Sequence, residues 1–172
     1  RKERTGKGSR VDVDLLASAI DLQMETFVCY LNGPRPESVV PPKWIGGWHY
    51  EAPYGIYATK DGHIAISLTS LKALGEALSS PKIAAFDEAD NYKKREEIAP
   101  LIAKIVATKT AAEWGENFDM HNIWYSPVNV YAAVADDPQV RHKGCFIPIK
   151  GATGAPITLV THPIRYDGEV PE

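Results

Sequence analysis

The sequence predicts an α+β domain built around a small antiparallel sheet, and three observations carry that prediction. Strand-like runs and helical stripes are mixed without a βαβ rhythm. Asp61-Gly62 separates two β-rich runs, a strong short-range hairpin signal. Helix starts are marked by capping residues: Asp14, Thr69 or Ser70, and Thr110 followed three positions later by Glu113.

In order, Val11, Asp12 and Val13 form a short β-like alternation, after which Asp14 caps a long helix to about Leu31. Its Leu15, Leu16, Ala19, Leu22, Phe27 and Leu31 give a broad apolar stripe, and Asn32-Gly33 stops it. Residues 34–42 hold four prolines, each removing a donor and restricting its predecessor, so this is an extended linker or surface loop. KWIGGWHY at 43–50 is an aromatic loop around a Gly-Gly pair. Strands follow at 56–59 and 63–68, with Gly62 expected to take the positive φ of a tight turn.

Beyond the hairpin a helix runs to about Leu78, Ser79-Ser80-Pro81 breaks it, and a short turn covers 82–86. Asp90 or Asn91 starts a helix to about Ala107, with a kink or late restart expected at Pro100. Thr110 and Glu113 form a capping box for a helix that carries Trp114 and Phe118 and ends near His121. Residues 123–130 read as an edge strand interrupted by Pro127, followed by a short helix at 131–135. Residues 146–149 and 157–160 form a second hairpin around 151–154.

Composition narrows the function classes. A chain of 172 residues supports one domain with a real core. Hydrophobic and charged contents of 44% and 24% are those of a globular protein and argue against disorder. A net charge of −3 argues against a general nucleic-acid or anionic-membrane partner. Two cysteines, Cys29 and Cys145, are too few for a secreted disulfide framework and fit a reducing cytoplasm. No apolar run approaches the roughly 20 residues that span a bilayer, and the N-terminus has no signal-peptide core. Because the chain opens on Arg1 within the charged RKERTGKGSR, we expect it to be a fragment of a longer protein.

Several motifs have plain structural readings beside their chemical ones. Thr5-Gly6-Lys7-Gly8-Ser9 lacks the upstream glycine and strand of a phosphate-binding loop and reads as a glycine-rich turn. The cations Arg1, Lys2, Arg4, Lys7 and Arg10 could meet phosphates, but a solvated helix end accounts for them. His49, His63, His121, His142 and His162 lie far apart, with no metal-ligand spacing, so no metal site is expected. His49 is the acid/base candidate; the plainer reading packs it on Trp48. Asp87, Asp90, Arg95, Glu96 and Glu97 read as a solvated helix start. Trp44, Gly46, Gly47, Trp48 and Tyr50 make the best candidate functional loop. Gly-Gly lets backbone approach a ligand or swing as a lid, and the aromatics offer a flat apolar surface. A loop anchored by its tryptophans to a domain interface is the equal alternative.

Taken in order, several segments resemble the class III CoA-transferases, the CaiB/BaiF-like superfamily of formyl-CoA transferase, carnitine CoA-transferase and α-methylacyl-CoA racemase. They are RKERTGKGSRVDVDLLASAI at the start, APYGIYATKDGHIAI in the hairpin, and D-x₇-R at 87–95. Glu113-Trp114, NIWYSPVNVYAAVADDPQV at 122–140 and THPIRY at 161–166 follow. The resemblance implies a small α+β domain from a protein about twice this length, whose chains interlock as a homodimer. Residues 1–42 would be a helix and linker from the missing large domain, 43–144 the small domain, and 145–172 a return segment. It further implies transfer of CoA between carboxylic acids through an aspartyl anhydride and an enzyme–CoA thioester. Acyl-CoA and acid would be substrates, with no tightly bound cofactor and no nucleic-acid or membrane partner. No aspartate here matches the nucleophile's context, so no catalytic residue is assigned and the fragment alone is expected to be inactive. KWIGGWHY occupies the place of the family's lid loop, making Trp44, Gly46, Gly47, Trp48, His49 and Tyr50 the candidate site residues. Racemase members carry a glutamate where this chain has Ser70, which favours transfer over racemisation. A non-catalytic interaction module is the rival from another class.

Overall fold

The computed structural model describes residues 5–8, 10, 12–161 and 163–164. Arg1, Lys2, Arg4, Ser9, Val11 and His162, singled out above, lie outside them, as does the end of THPIRY. The chain forms two compact units, Arg1–Ser126 and Pro127–Glu172, and the fold is α+β.

In the first unit, Asp14 caps a helix as its side chain accepts from the Ala17 amide. The helix expected to run unbroken divides into Leu15–Asp21 and Met24–Asn32, with a turn at Leu22-Gln23. Its apolar stripe does not sink into this unit: Leu15 is 91% and Leu22 89% exposed. Residues 34–42 have no helix or strand, as their prolines dictate.

Strands β1 (Gly55–Ala58) and β2 (His63–Ile66) pair antiparallel, Gly55 opposite Ile66 and Ala58 opposite His63. β3 (Tyr125–Pro127) joins β2 as the edge strand that Pro127 requires, giving the order β1-β2-β3. The hairpin turn is made differently from expectation. Gly62 does not take a positive φ, because the connection is a four-residue loop held by side chains. Gly62 N–H donates to Thr59 Oγ1 at 3.0 Å, and Thr59 Oγ1 donates to Asp61 Oδ1 at 2.9 Å. Asp61 Oδ1 also accepts from the Ala111 amide at 2.9 Å, tying the turn to the Ala111–Met120 helix.

Side-chain alternation along β1 and β2 buries Tyr57, Ile64 and Ile66 on one face. Helices cover that face: Leu71–Ala77 supplies Leu71 and Leu74, Pro81–Ala84 supplies Ile83, and Arg95–Val106 supplies Ile98, Ile102 and Val106. Ala111–Met120 adds Trp114 and Phe118. Three of these four helices start on a side-chain cap, and Arg95–Val106 does not. Ser70 Oγ accepts from Ala73, Ser80 Oγ from Ile83, and Thr110 with Glu113 completes the capping box. The helix predicted from residue 90 is preceded by a 3₁₀ turn, Glu88–Asp90, capped by Asp87. The α-helix begins at Arg95 and continues through Pro100.

The second unit has the short helices Tyr131–Asp136 and Pro138–His142, the latter capped by Asp137 with Pro138 in its first turn. Strands β4 (Phe146–Lys150) and β5 (Pro156–Val160) form the second hairpin, Phe146 opposite Val160.

Candidate functional site

The aromatic loop is built onto the open edge of β1. Ile45 bridges Gly55, Ile56 N–H donates to the Trp44 carbonyl at 3.0 Å, and Gly46 N–H donates to the Tyr54 carbonyl at 2.9 Å. Trp44 has a φ of 71°, and Ile45 is thereby turned into the core, 5% exposed. Glycine is required at Gly55, where backbone blocks a side chain, and at Gly46 a side chain would have to displace the Tyr54 ring. A Cβ on Gly55 would lie 1.8 Å from the Trp44 carbonyl oxygen, and one on Gly46 2.8 Å from the Tyr54 ring.

From Gly47 the chain turns, Tyr50 N–H donating to the Gly47 carbonyl at 3.1 Å, and the side chains of residues 48–50 stack as a ladder. Tyr30 from the Met24–Asn32 helix meets Trp48 edge-on at 6.4 Å, Trp48 meets His49 at 5.2 Å, and His49 meets Tyr50 at 4.2 Å. Tyr50 stacks on Tyr54 at 4.0 Å. The plainer reading of His49, a ring packed against Trp48, is therefore what the geometry contains. Three nitrogens in this ladder are buried with no hydrogen-bond partner among the described residues: Trp48 Nε1 and both ring nitrogens of His49. Each such group costs about 1–3 kcal/mol in desolvation. Glu25 Oε1 approaches His49 Nε2 only to 3.9 Å. The same Glu25 carboxylate pushes the Tyr50 phenol well above its ordinary pKa, burial adding to the effect, so Tyr50 stays neutral.

Beside the loop lies an open, largely apolar cavity of about 420 Å³, bordered by Gly46, Tyr54, Ile56, Ala65, Ser67 and Trp124 on the uncovered face of the sheet. A second hollow of about 430 Å³ is lined by Cys29, Asn32, Trp48, His49 and Tyr92. The structure thus brings Gly46 to the first hollow, Trp48 and His49 to the second, and Trp44 to the junction with β1. No group of three or more metal-ligating side chains occurs among the described residues. Nor does any described helix have the length and apolarity to cross a membrane.

Sequence reasoning missed one residue here. Arg95, read as part of a solvated helix start, donates from Nη1 to the carbonyls of Trp48 at 2.8 Å and Tyr50 at 2.9 Å. Its neighbours in that reading do other work: Asp87 caps the 3₁₀ turn and Asp90 pairs with Lys94 at 2.6 Å. The D-x₇-R spacing was the available signal, but spacing along one segment does not reveal a bond to a loop 45 residues earlier.

Comparison with known proteins adds the following. The family model for CoA-transferase family III matches residues 1–172. Human succinyl-CoA:glutarate CoA-transferase is 22% identical over 173 residues, covering 96% of this chain and 39% of that protein. Acetyl-CoA:oxalate CoA-transferase of Acetobacter aceti is 21% identical over 175 residues, covering 97% of this chain and 42% of that protein. Among solved structures, Rv3272 of Mycobacterium tuberculosis in its orthorhombic form superposes with a TM-score of 0.65 at 21% identity, over 98% of this chain and 44% of that one. A CAIB/BAIF family protein from Brucella suis gives a TM-score of 0.62 at 22% identity, over 99% of this chain and 45% of that one. The chain spans about two-fifths of the length of these curated relatives.

Proposed function

The chain belongs to CoA-transferase family III, and from that premise we propose that it is the small-domain portion of an enzyme that moves CoA between carboxylic acids. The observation that carries this reading is the family match along the whole of residues 1–172. In the complete enzyme an aspartate outside this segment attacks the acyl-CoA thioester to give a mixed anhydride. The released CoA thiolate then attacks the enzyme's own carbonyl, freeing the donor acid. The resulting enzyme–CoA thioester passes CoA to the acceptor acid. CoA enters as a thioester substrate, and this sequence of steps needs no further cofactor.

In this proposal residues 1–42 and 145–172 connect to the large domain, residues 43–144 are the small domain, and two chains assemble as an interlocked cytoplasmic homodimer. The contribution of this segment is the loop of Trp44, Gly46, Gly47, Trp48, His49 and Tyr50, which borders the bound substrate and excludes water from the reactive anhydride. Its glycines at the β1 contact and its aromatic ladder support that role. Ser70 speaks against a racemase. Its hydroxyl caps the Leu71–Ala77 helix, and a serine there offers neither the charge nor the pKa of a carboxylate base.

The test is an assay of the full-length protein for CoA exchange between succinyl-CoA and a panel of carboxylic acids. Exchange with at least one acid is expected, and none with any donor tried would sink the proposal. Deuterium entering the α-carbon of an acyl-CoA, without exchange, would instead mark a racemase.

A further inference from the structure

Arg95 opens the Arg95–Val106 helix with its side chain turned back onto the aromatic loop. The two N–H groups of one nitrogen, Nη1, serve two carbonyls, those of Trp48 and Tyr50, at 2.8 and 2.9 Å. Tyr92 donates its hydroxyl to the same Trp48 carbonyl at 3.1 Å, and the Arg95 guanidinium lies 4.0 Å from the centroid of the Tyr92 ring. Nearby, Ala52 N–H donates to the Asn91 carbonyl at 3.4 Å, so the loop's outgoing arm is attached to this region at three residues.

The residue between the two gripped carbonyls is His49. Its peptide is fixed on both sides, while its ring nitrogens have no hydrogen-bond partner among the described residues. A loop free to relax would turn those nitrogens to water. A segment over-determined from outside can keep them unpaired, and such groups call for a functional account. Arginine suits the task where lysine does not, since a planar guanidinium can stack on Tyr92 and direct two N–H groups at fixed angles.

We propose that Arg95 is a positioning residue for the CoA-transfer reaction. It clamps residues 48–50 against the helix start and holds His49 in the aromatic ladder, with its ring nitrogens buried and unpaired, at the edge of the loop that borders the substrate. This rests on the CoA-transferase reading for its catalytic half, and on hydrogen bonds alone for its clamp.

The experiment uses the full-length protein and compares wild type with Arg95→Gln, Arg95→Lys and Tyr92→Phe. Hydrogen exchange of the peptide covering residues 46–50 is expected to quicken about tenfold or more in Arg95→Gln, with β2 and the Ala111–Met120 helix unchanged. Arg95→Lys should restore thermal stability without restoring loop protection, and Tyr92→Phe should quicken exchange by a smaller factor. In CoA exchange, Arg95→Gln should lower kcat by about ten- to a hundredfold with acid KM changed less. Unchanged loop exchange in Arg95→Gln and Tyr92→Phe overturns the clamp. A released loop with kcat and KM intact overturns the positioning role and leaves a structural bond. If wild type exchanges no CoA, the positioning role falls with the functional reading, while loop exchange still decides the clamp.

Discussion

Replacing Gly55 by alanine should detach the aromatic loop from the sheet. The new Cβ would stand 1.8 Å from the Trp44 carbonyl oxygen and 3.2 Å from Ile45 Cα, and both obstacles are backbone that no rotamer change can move. The bridge must open, removing the bonds from Ile56 N–H to Trp44 and from Gly46 N–H to Tyr54. Two net hydrogen bonds contribute about 1–3 kcal/mol. Withdrawing Ile45, 5% exposed in the intact unit, adds about 1.5–3 kcal/mol. The expected loss is therefore about 1–3 kcal/mol if Ile45 stays in the core and about 2.5–6 kcal/mol if it leaves. Urea unfolding followed by tryptophan fluorescence measures it, since Trp44, Trp48, Trp114 and Trp124 all belong to the first unit. Gly62→Ala is the control: Gly62 has open space around it and no positive φ, so it should shift stability by less than about 0.5 kcal/mol. Equal stabilities for the two variants would refute the bridge as an anchor of the loop.

Other perturbations probe the frame that carries the site. Phe118→Ala removes a fully buried ring stacked 5.8 Å from Trp114 and edge-on to Tyr125 at 5.5 Å, and should cost about 3–5 kcal/mol in the same titration. Thr110→Ala takes away the side-chain half of the capping box and should cost about 1 kcal/mol, read as a lower urea midpoint. Asp61 predicts a pH dependence. The Ala111 amide and the Thr59 hydroxyl lower its folded pKa, so its stabilisation is present above the unfolded carboxyl value near about 3.9. It is lost as pH falls through the folded value. Asp61→Asn should flatten that acid limb in unfolding curves taken from about pH 6 to about pH 2, and an unaltered limb would contradict the assignment.

What was legible in the sequence was local. Asp14, Ser70 and Thr110 mark helix starts because a cap acts within three residues of itself. The two β-rich runs around Asp61-Gly62 likewise marked the strands β1 and β2, because strand propensity and turn residues lie within about a dozen positions of each other. The less legible features depend on distant partners. The Asp61-Gly62 turn was read from glycine's conformational freedom, whereas the Thr59 hydroxyl and the Ala111 amide, the latter 50 residues away, hold it. The long first helix divides at Leu22-Gln23 although its apolar spacing continues through that turn. Within the site, glycines and aromatics mark the loop by composition. The arginine that grips it is indistinguishable in sequence from its solvated neighbours, because a charge reveals its role only through the carbonyls it meets.

The central claim is that this segment belongs to an enzyme that passes CoA from one carboxylic acid to another. Its most direct test is to incubate the full-length protein with succinyl-CoA and an isotopically labelled acid, following label into the CoA thioester by mass spectrometry. The account predicts labelled acyl-CoA and free succinate in equal amounts, without net thioester hydrolysis. Hydrolysis alone, or α-proton exchange with no transfer across the acid panel, would contradict it.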